Sequence, residues 1–215
     1  DAKLRVEMRT VIKALQREVG ITTVYVTHDQ EEVMAISDRI AVMKDGVIRH
    51  CGNPKNIYQR PADLFVATFI GKSNLLKAKL KMKEGQCYLE FLNGYQVPFE
   101  NILSNEQKDR DIIVAARPEE LLVSPVESES AQDGIRAIIK DSVFLGLNTH
   151  YFVKLETGEE AEIIQESKID SIIPQGSDVI LKINTHKANV FDEETSLSIM
   201  TGVQSSVGLQ DGEGA

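Results

Sequence analysis

Two apolar periodicities divide the chain. Residues 4 to 19 place Leu4, Met8, Val11, Ile12, Leu15 and Val19 at helical spacing with charged residues between them, and Gly20 follows. This predicts an amphipathic helix with a glycine stop. Residues 22 to 27, TTVYVT, are β-branched and aromatic and free of charge, the pattern of a strand buried on both faces of a parallel sheet. Asp29 and Glu32 form a capping pair for a helix through about Ile36. Asp45-Gly46 lies between RIAVMK and VIRHCG and marks a two-residue hairpin, since both positions tolerate positive φ. Asn53-Pro54 starts a short helix, and Pro61 another through about Phe69, closed by Gly71. Helix, strand, helix in that order predicts an α/β lobe.

From Ser73 the period changes to two. NLLKAKLKM, CYLEFL, YQVPF, DIIVAARP, GIRAIIKDSVF, HYFVKLE, EEAEII and DVILKIN are short strands, with Asn93-Gly94 and Thr157-Gly158 as turns. In HYFVKLE, Tyr151, Val153 and Leu155 share one face, and Phe152, Lys154 and Glu156 the other. Many short strands with regular turns predict a small barrel or sandwich. SPVESESAQDG (124 to 134) reads as an acidic loop, and the residues after 203 as a flexible tail.

Composition narrows the partners. A formal net charge of −9 with no Lys/Arg-rich tract disfavours a phosphate-backbone partner. Cys51 and Cys87 stand alone without ligand-spaced neighbours, which fits a reducing compartment and argues against a zinc site or a disulfide framework. There is no apolar run near the 18 residues a membrane helix needs. The chain opens on Asp1, directly in helical sequence, which reads as a fragment.

His28 follows TTVYVT and precedes an acidic helix start. Ligands of open α/β sheets gather beyond the carboxyl ends of the strands, and an imidazole there can meet a phosphate or an attacking water. A histidine that merely caps the helix or fills the loop is the other reading of the position. The surrounding residues carry more. TVYVTHDQEEVMAISDRIAVMKDGVI closely resembles the end of the nucleotide-binding domain of ABC transporter ATPases, and GNPKNIYQRPADLFVATFIG is similar to the stretch that closes that domain in binding-protein-dependent importers. DAKLR resembles the last residue of the D-loop and the helix after it. The likeness covers residues 1 to 71 without a gap; Val33, where the family often has Ala, is a small departure.

The resemblance implies that His28 is the switch histidine, close to the γ-phosphate and attacking water, and that Asp1 is the D-loop aspartate near the interface of two ATPase chains. It implies ATP and magnesium as cofactors of the parent subunit. Its partners would be membrane-spanning permease subunits, a solute-binding protein and a second copy of the ATPase, on the cytoplasmic face of the membrane. No G-x-x-x-x-G-K-[ST] loop, LSGGQ-type signature or hydrophobic run ending in Asp-Glu occurs among the 215 residues, and these supply the phosphate cradle, magnesium site and base. By the family mechanism the fragment itself is expected to need no cofactor and to be inactive.

Residues 72 to 203 resemble the OB-like (TOBE/MOP-type) regulatory domain of importer ATPases. ARPEELLVSP, with Arg117, Pro118 and Glu119, matches its A-x-R-P-E segment, and DSVFLGLNTHYFVKLETGEE is similar to the polyamine and ferric-iron versions. The expected architecture is therefore an α/β C-terminal piece of a P-loop domain (1–71), an all-β barrel (72–203) and a tail (204–215). Arg117 and Glu119 read equally as a local turn with a surface ion pair. His150 and His186 read as ordinary strand or edge residues, with no Cys, Asp or Glu at ligand spacing. A standalone regulatory or oxyanion-binding barrel, with the first 70 residues as support, is the competing function. A single-stranded nucleic-acid barrel is disfavoured by 6% aromatics, no Trp and the acidic balance.

Overall fold

The computed structural model describes residues 2–126, 134–167 and 172–207, with only the backbone of Ala2, Lys3 and Arg5. Asp1, most of the acidic loop and tail residues 208–215 lie outside the described residues. The chain forms two compact units. One comprises the described residues up to Ala62 together with those from Val203 onward, and the other spans Asp63–Gly202. The expected division after residue 71 is thus displaced, and residues 203–207 belong with the first unit.

The first unit contains helices α1 (Ala2–Val19) and α2 (Gln30–Ile36), strands β1 (Ile40–Lys44) and β2 (Val47–Gly52), and helix α3 (Pro54–Gln59). The glycine stop holds: Gly20 has φ +68 and donates to the Gln16 carbonyl. The hairpin turn holds as well, with φ +51 at Asp45 and +76 at Gly46. Asn53 caps α3 by accepting from the Asn56 amide at 2.8 Å. The strand expected over 22 to 27 is not formed. A strand exists only through a neighbour that takes up its backbone groups, and among the described residues the only sheet in this unit is the antiparallel β1–β2 pair. Val24 and Val26 are 87% and 91% exposed, and the apolar stripe of α1 is exposed from Leu4 to Val19.

The second unit opens with α4 (Leu64–Phe69), whose N-cap is Asp63 rather than Pro61. Among the described residues ten strands follow: β3 (Asn74–Lys83), β4 (Gln86–Phe91), β5 (Gln96–Phe99), β6 (Arg110–Ala116), β7 (Leu121–Pro125), β8 (Ile135–Phe144), β9 (Asn148–Leu155), β10 (Glu160–Glu166), β11 (Asp178–Ile183) and β12 (Asn189–Asp192). They make two five-stranded sheets, β12-β6-β3-β4-β5 and β10-β9-β8-β11-β7, with every pairing antiparallel. One continuous core draws on both, with Leu80, Leu89 and Ile112 from the first sheet and Ile139, Ile163 and Leu181 from the second. The period-two reading holds where it was sharpest: Tyr151, Val153 and Leu155 are buried, while Lys154 and Glu156 are exposed.

Side-chain amides complete backbone pairing on β10 and β7. Asn74 accepts from the Glu162 amide and donates to its carbonyl, both at 2.8 Å. Gln165 accepts from the Val123 amide of β7 at 3.2 Å. Such capping satisfies groups that an open sheet edge would leave bare.

Candidate functional site

His28 stands between the extended run and α2. The capping expected of this segment is supplied by its neighbours: Asp29 accepts from the Glu32 amide at 3.0 Å, and Thr27 Oγ1 accepts from the Asp29 amide and donates to Glu32. α1 holds α2 from the side, with Arg9 on Asp29 at 3.3 Å and Lys13 on the Ile36 carbonyl at 2.9 Å and on Asp38 at 3.3 Å. The His28 ring is exposed and makes no hydrogen bond or ion pair within the described residues. It is therefore not the cap of α2. A groove of about 380 Å³ between α1 and α2 is lined by Arg9, Lys13 and Arg17 among others, but His28 does not line it.

Arg117 is not a surface residue. It is 3% exposed, and its Nη1 donates to the Ala67 carbonyl at 2.9 Å, the Lys72 carbonyl at 3.1 Å and Ser73 Oγ at 2.8 Å. Residues Pro118–Glu120 form the expected turn, and the Arg117 guanidinium is a buried clamp on α4 and the segment that follows it. Glu120 closes the turn by accepting from the Arg117 amide at 2.9 Å. Burial pushes the Glu120 carboxyl up, partly offset by that bond. Pro118 is buried beside the clamp and Glu119 is exposed.

His150 does have an acidic partner, Glu162, across β9 and β10. Its Nδ1 lies 2.9 Å from Glu162 Oε1, and Lys72 Nζ contacts Oε2 of the same carboxylate. Glu162 is 7% exposed. Burial pushes its carboxyl up, but the hydrogen bonds and charges of Lys72 and His150 outweigh that and hold it below its ordinary value. The partner was invisible to local spacing because strand pairing, not sequence distance, brings it near. His186 is exposed at a turn whose Asn184 accepts its amide. Among the described residues no three His, Cys, Asp or Glu are grouped to hold a metal, and no helix is long and apolar enough to cross a membrane.

Comparison with known proteins places this geometry. The TOBE domain profile matches residues 114–191, the stretch carrying Arg117, His150 and Glu162. A protein of Fusobacterium nucleatum described as Fe(3+) ions import ATP-binding protein FbpC is 58% identical over 203 residues, covering 94% of this chain and 53% of that protein. The chain is a homologue of ABC importer ATP-binding subunits.

Two further relatives are described as spermidine/putrescine import ATP-binding protein PotA. That of Thermobifida fusca is 37% identical over 80% of this chain and 44% of its own length, and that of Nitratidesulfovibrio vulgaris 39% over 79% and 47%. The chain thus spans about half the length of the curated relatives it matches. A solved structure of the cytoplasmic molybdate-binding protein ModG aligns with 54% of this chain and 94% of its own at TM-score 0.45 and 14% identity, too weak a likeness to carry a ligand across. In this importer-subunit homologue the TOBE match begins within β6 and ends on β12, so both sheets of the second unit contribute to it.

Proposed function

We propose that this chain is part of the ATP-binding subunit of an ABC importer that couples ATP hydrolysis to solute uptake, with ferric iron as the cargo. The observation that carries the reading is the 58% identity, over 94% of the chain, to a protein described as importing Fe(3+) ions, against 37 to 39% for the polyamine relatives. The identity runs through the first unit as well as the barrel, which a standalone ligand-binding barrel would not require.

In the complete subunit His28 is proposed to contact the γ-phosphate; its ring, exposed and without a hydrogen bond or ion pair among the described residues, supports this role. Asp1 is proposed to lie near the interface with a second copy. ATP and magnesium would be the cofactors, and permease subunits and a solute-binding protein the partners, on the cytoplasmic face of the membrane. A nucleotide site is proposed to need segments beyond those present. The 215 residues contain no phosphate loop or signature sequence, and the described ones no metal-binding group. The purified chain is accordingly expected to show no magnesium-dependent ATPase activity above background.

The test is uptake of labelled ferric iron and labelled spermidine by cells from which the gene encoding this chain has been deleted. Loss of iron uptake with spermidine uptake intact is expected. The reverse pattern would transfer the assignment to polyamines, and no change in either would overturn it.

A further inference from the structure

The chain leaves the first unit after Ala62 and returns to it at Val203. One buried side chain holds both places. His50, on β2, is 0% exposed. Its Nδ1 accepts from the Ala62 amide at 3.1 Å, so the ring proton sits on Nε2, which donates to the Gln204 carbonyl at 2.9 Å. This orientation uses both ring nitrogens.

The returning residues are seated along β2 and α3 by further bonds. The Gln204 amide donates to Asn56 Oδ1 at 2.8 Å, the Cys51 amide to Ser205 Oγ at 3.1 Å, and the Ser206 amide to the Cys51 carbonyl at 2.9 Å. Arg39 donates to Ser206 Oγ. The seat is also shaped for close approach: a Cβ on Gly52 would lie 2.7 Å from the Gln204 carbonyl oxygen and 3.2 Å from His50 Nε2. Only glycine leaves room for the backbone of residue 204 there.

We propose that residues 203–207 are a strap fastened to the β1–β2 hairpin and α3, and that His50 is the clasp that fixes this strap beside the outgoing connector at Ala62. The two chain connections of the barrel unit are thereby anchored at one point on β2. A displacement of either connector is delivered to the same hairpin, and opening the clasp frees the strap while the barrel unit stays folded. The proposal rests on contacts within the first unit and holds whichever solute is carried.

Substitution separates the two bonds of the ring. A glutamine amide reaches the position of Nε2 and retains the bond to Gln204, whereas an asparagine amide reaches only that of Nδ1 and retains the bond to Ala62. Amide hydrogen exchange on the full chain reads the result. In His50→Asn the amides of Gln204 and Ser206 are expected to exchange about tenfold faster, while in His50→Gln they stay within about threefold of the parent, with β6 amides unchanged in both. Equal rates in the two variants, or acceleration shared by β6, would overturn the proposal. Should His50→Asn fail to fold, Asn56→Ala removes the acceptor of the Gln204 amide without touching the core. It must also accelerate Gln204 and Ser206 by about tenfold, and unchanged rates there would overturn the strap.

Discussion

Replacing Arg117 by alanine withdraws one donor group from three acceptors at once: the carbonyls of Ala67 and Lys72, and Ser73 Oγ. The site is 3% exposed, so water cannot simply take the guanidinium's place. A buried carbonyl without a donor costs about 1–3 kcal/mol, and Ser73 Oγ still donates to Ala67. Adding about 1 kcal/mol for the lost bond to Ser73 Oγ, the sum for Arg117→Ala is about 2–4 kcal/mol. Arg117→Lys keeps a charge that reaches some of the three acceptors and should lose about half as much. Thermal unfolding of the full chain, followed by a β-sheet signal, reads the effect on the second unit. At roughly 3–4 °C per kcal/mol for a unit of this size, the alanine variant melts about 6–16 °C lower and the lysine variant falls between it and the parent. A drop of less than about 2 °C in Arg117→Ala would refute the clamp as a stabilising feature.

Glu162→Gln is expected to destabilise the second unit by about 2 kcal/mol at neutral pH, because Lys72 and His150 lose the charge they face. Glu162 titrates below its ordinary value of 4.5, so its contribution is fully present above that value and is lost as pH falls through the lower folded one. The gap between parent and variant should therefore close in acid, as followed by urea unfolding at several pH values; a gap unchanged down to pH about 2 would contradict the ion-pair reading. In hydrogen exchange the amides of residues 22 to 27, which pair with no strand among the described residues, are expected to be unprotected while those of β3 and β6 are strongly protected. Comparable protection in a monomer would mean that the extended run is covered after all.

Features set by a few neighbouring residues were legible in the sequence. The Asp29 cap, the Asp45-Gly46 turn and the Asn53-Pro54 helix start depend on local backbone chemistry, and each forms as expected. The alternation in residues 150 to 156 likewise predicts its own buried face. TTVYVT fails for the opposite reason: its residues suit a strand, but a strand needs a partner, and none is described in this chain. The site residues divide the same way. The motif around Arg117 was visible, but its acceptors lie 44 to 50 residues away. Glu162 carries no local mark that ties it to His150. His50 occupies an ordinary hairpin position, and its bond to residue 204 spans 154 positions. His50 faces Val42 of β1 only because the hairpin register shifts between Val42 and Met43, a shift the turn residues do not announce.

The central claim is that this chain belongs to an importer ATPase in which His28 faces the nucleotide. Its most direct test is labelled ferric-iron uptake by cells whose chromosomal gene for the complete subunit carries His28→Ala, with subunit abundance measured in parallel. Because phosphoryl transfer depends mainly on positioning and electrostatics, removal of such a contact is expected to lower uptake by about a hundredfold or more at unchanged abundance. Uptake within about twofold of the parent would contradict the account.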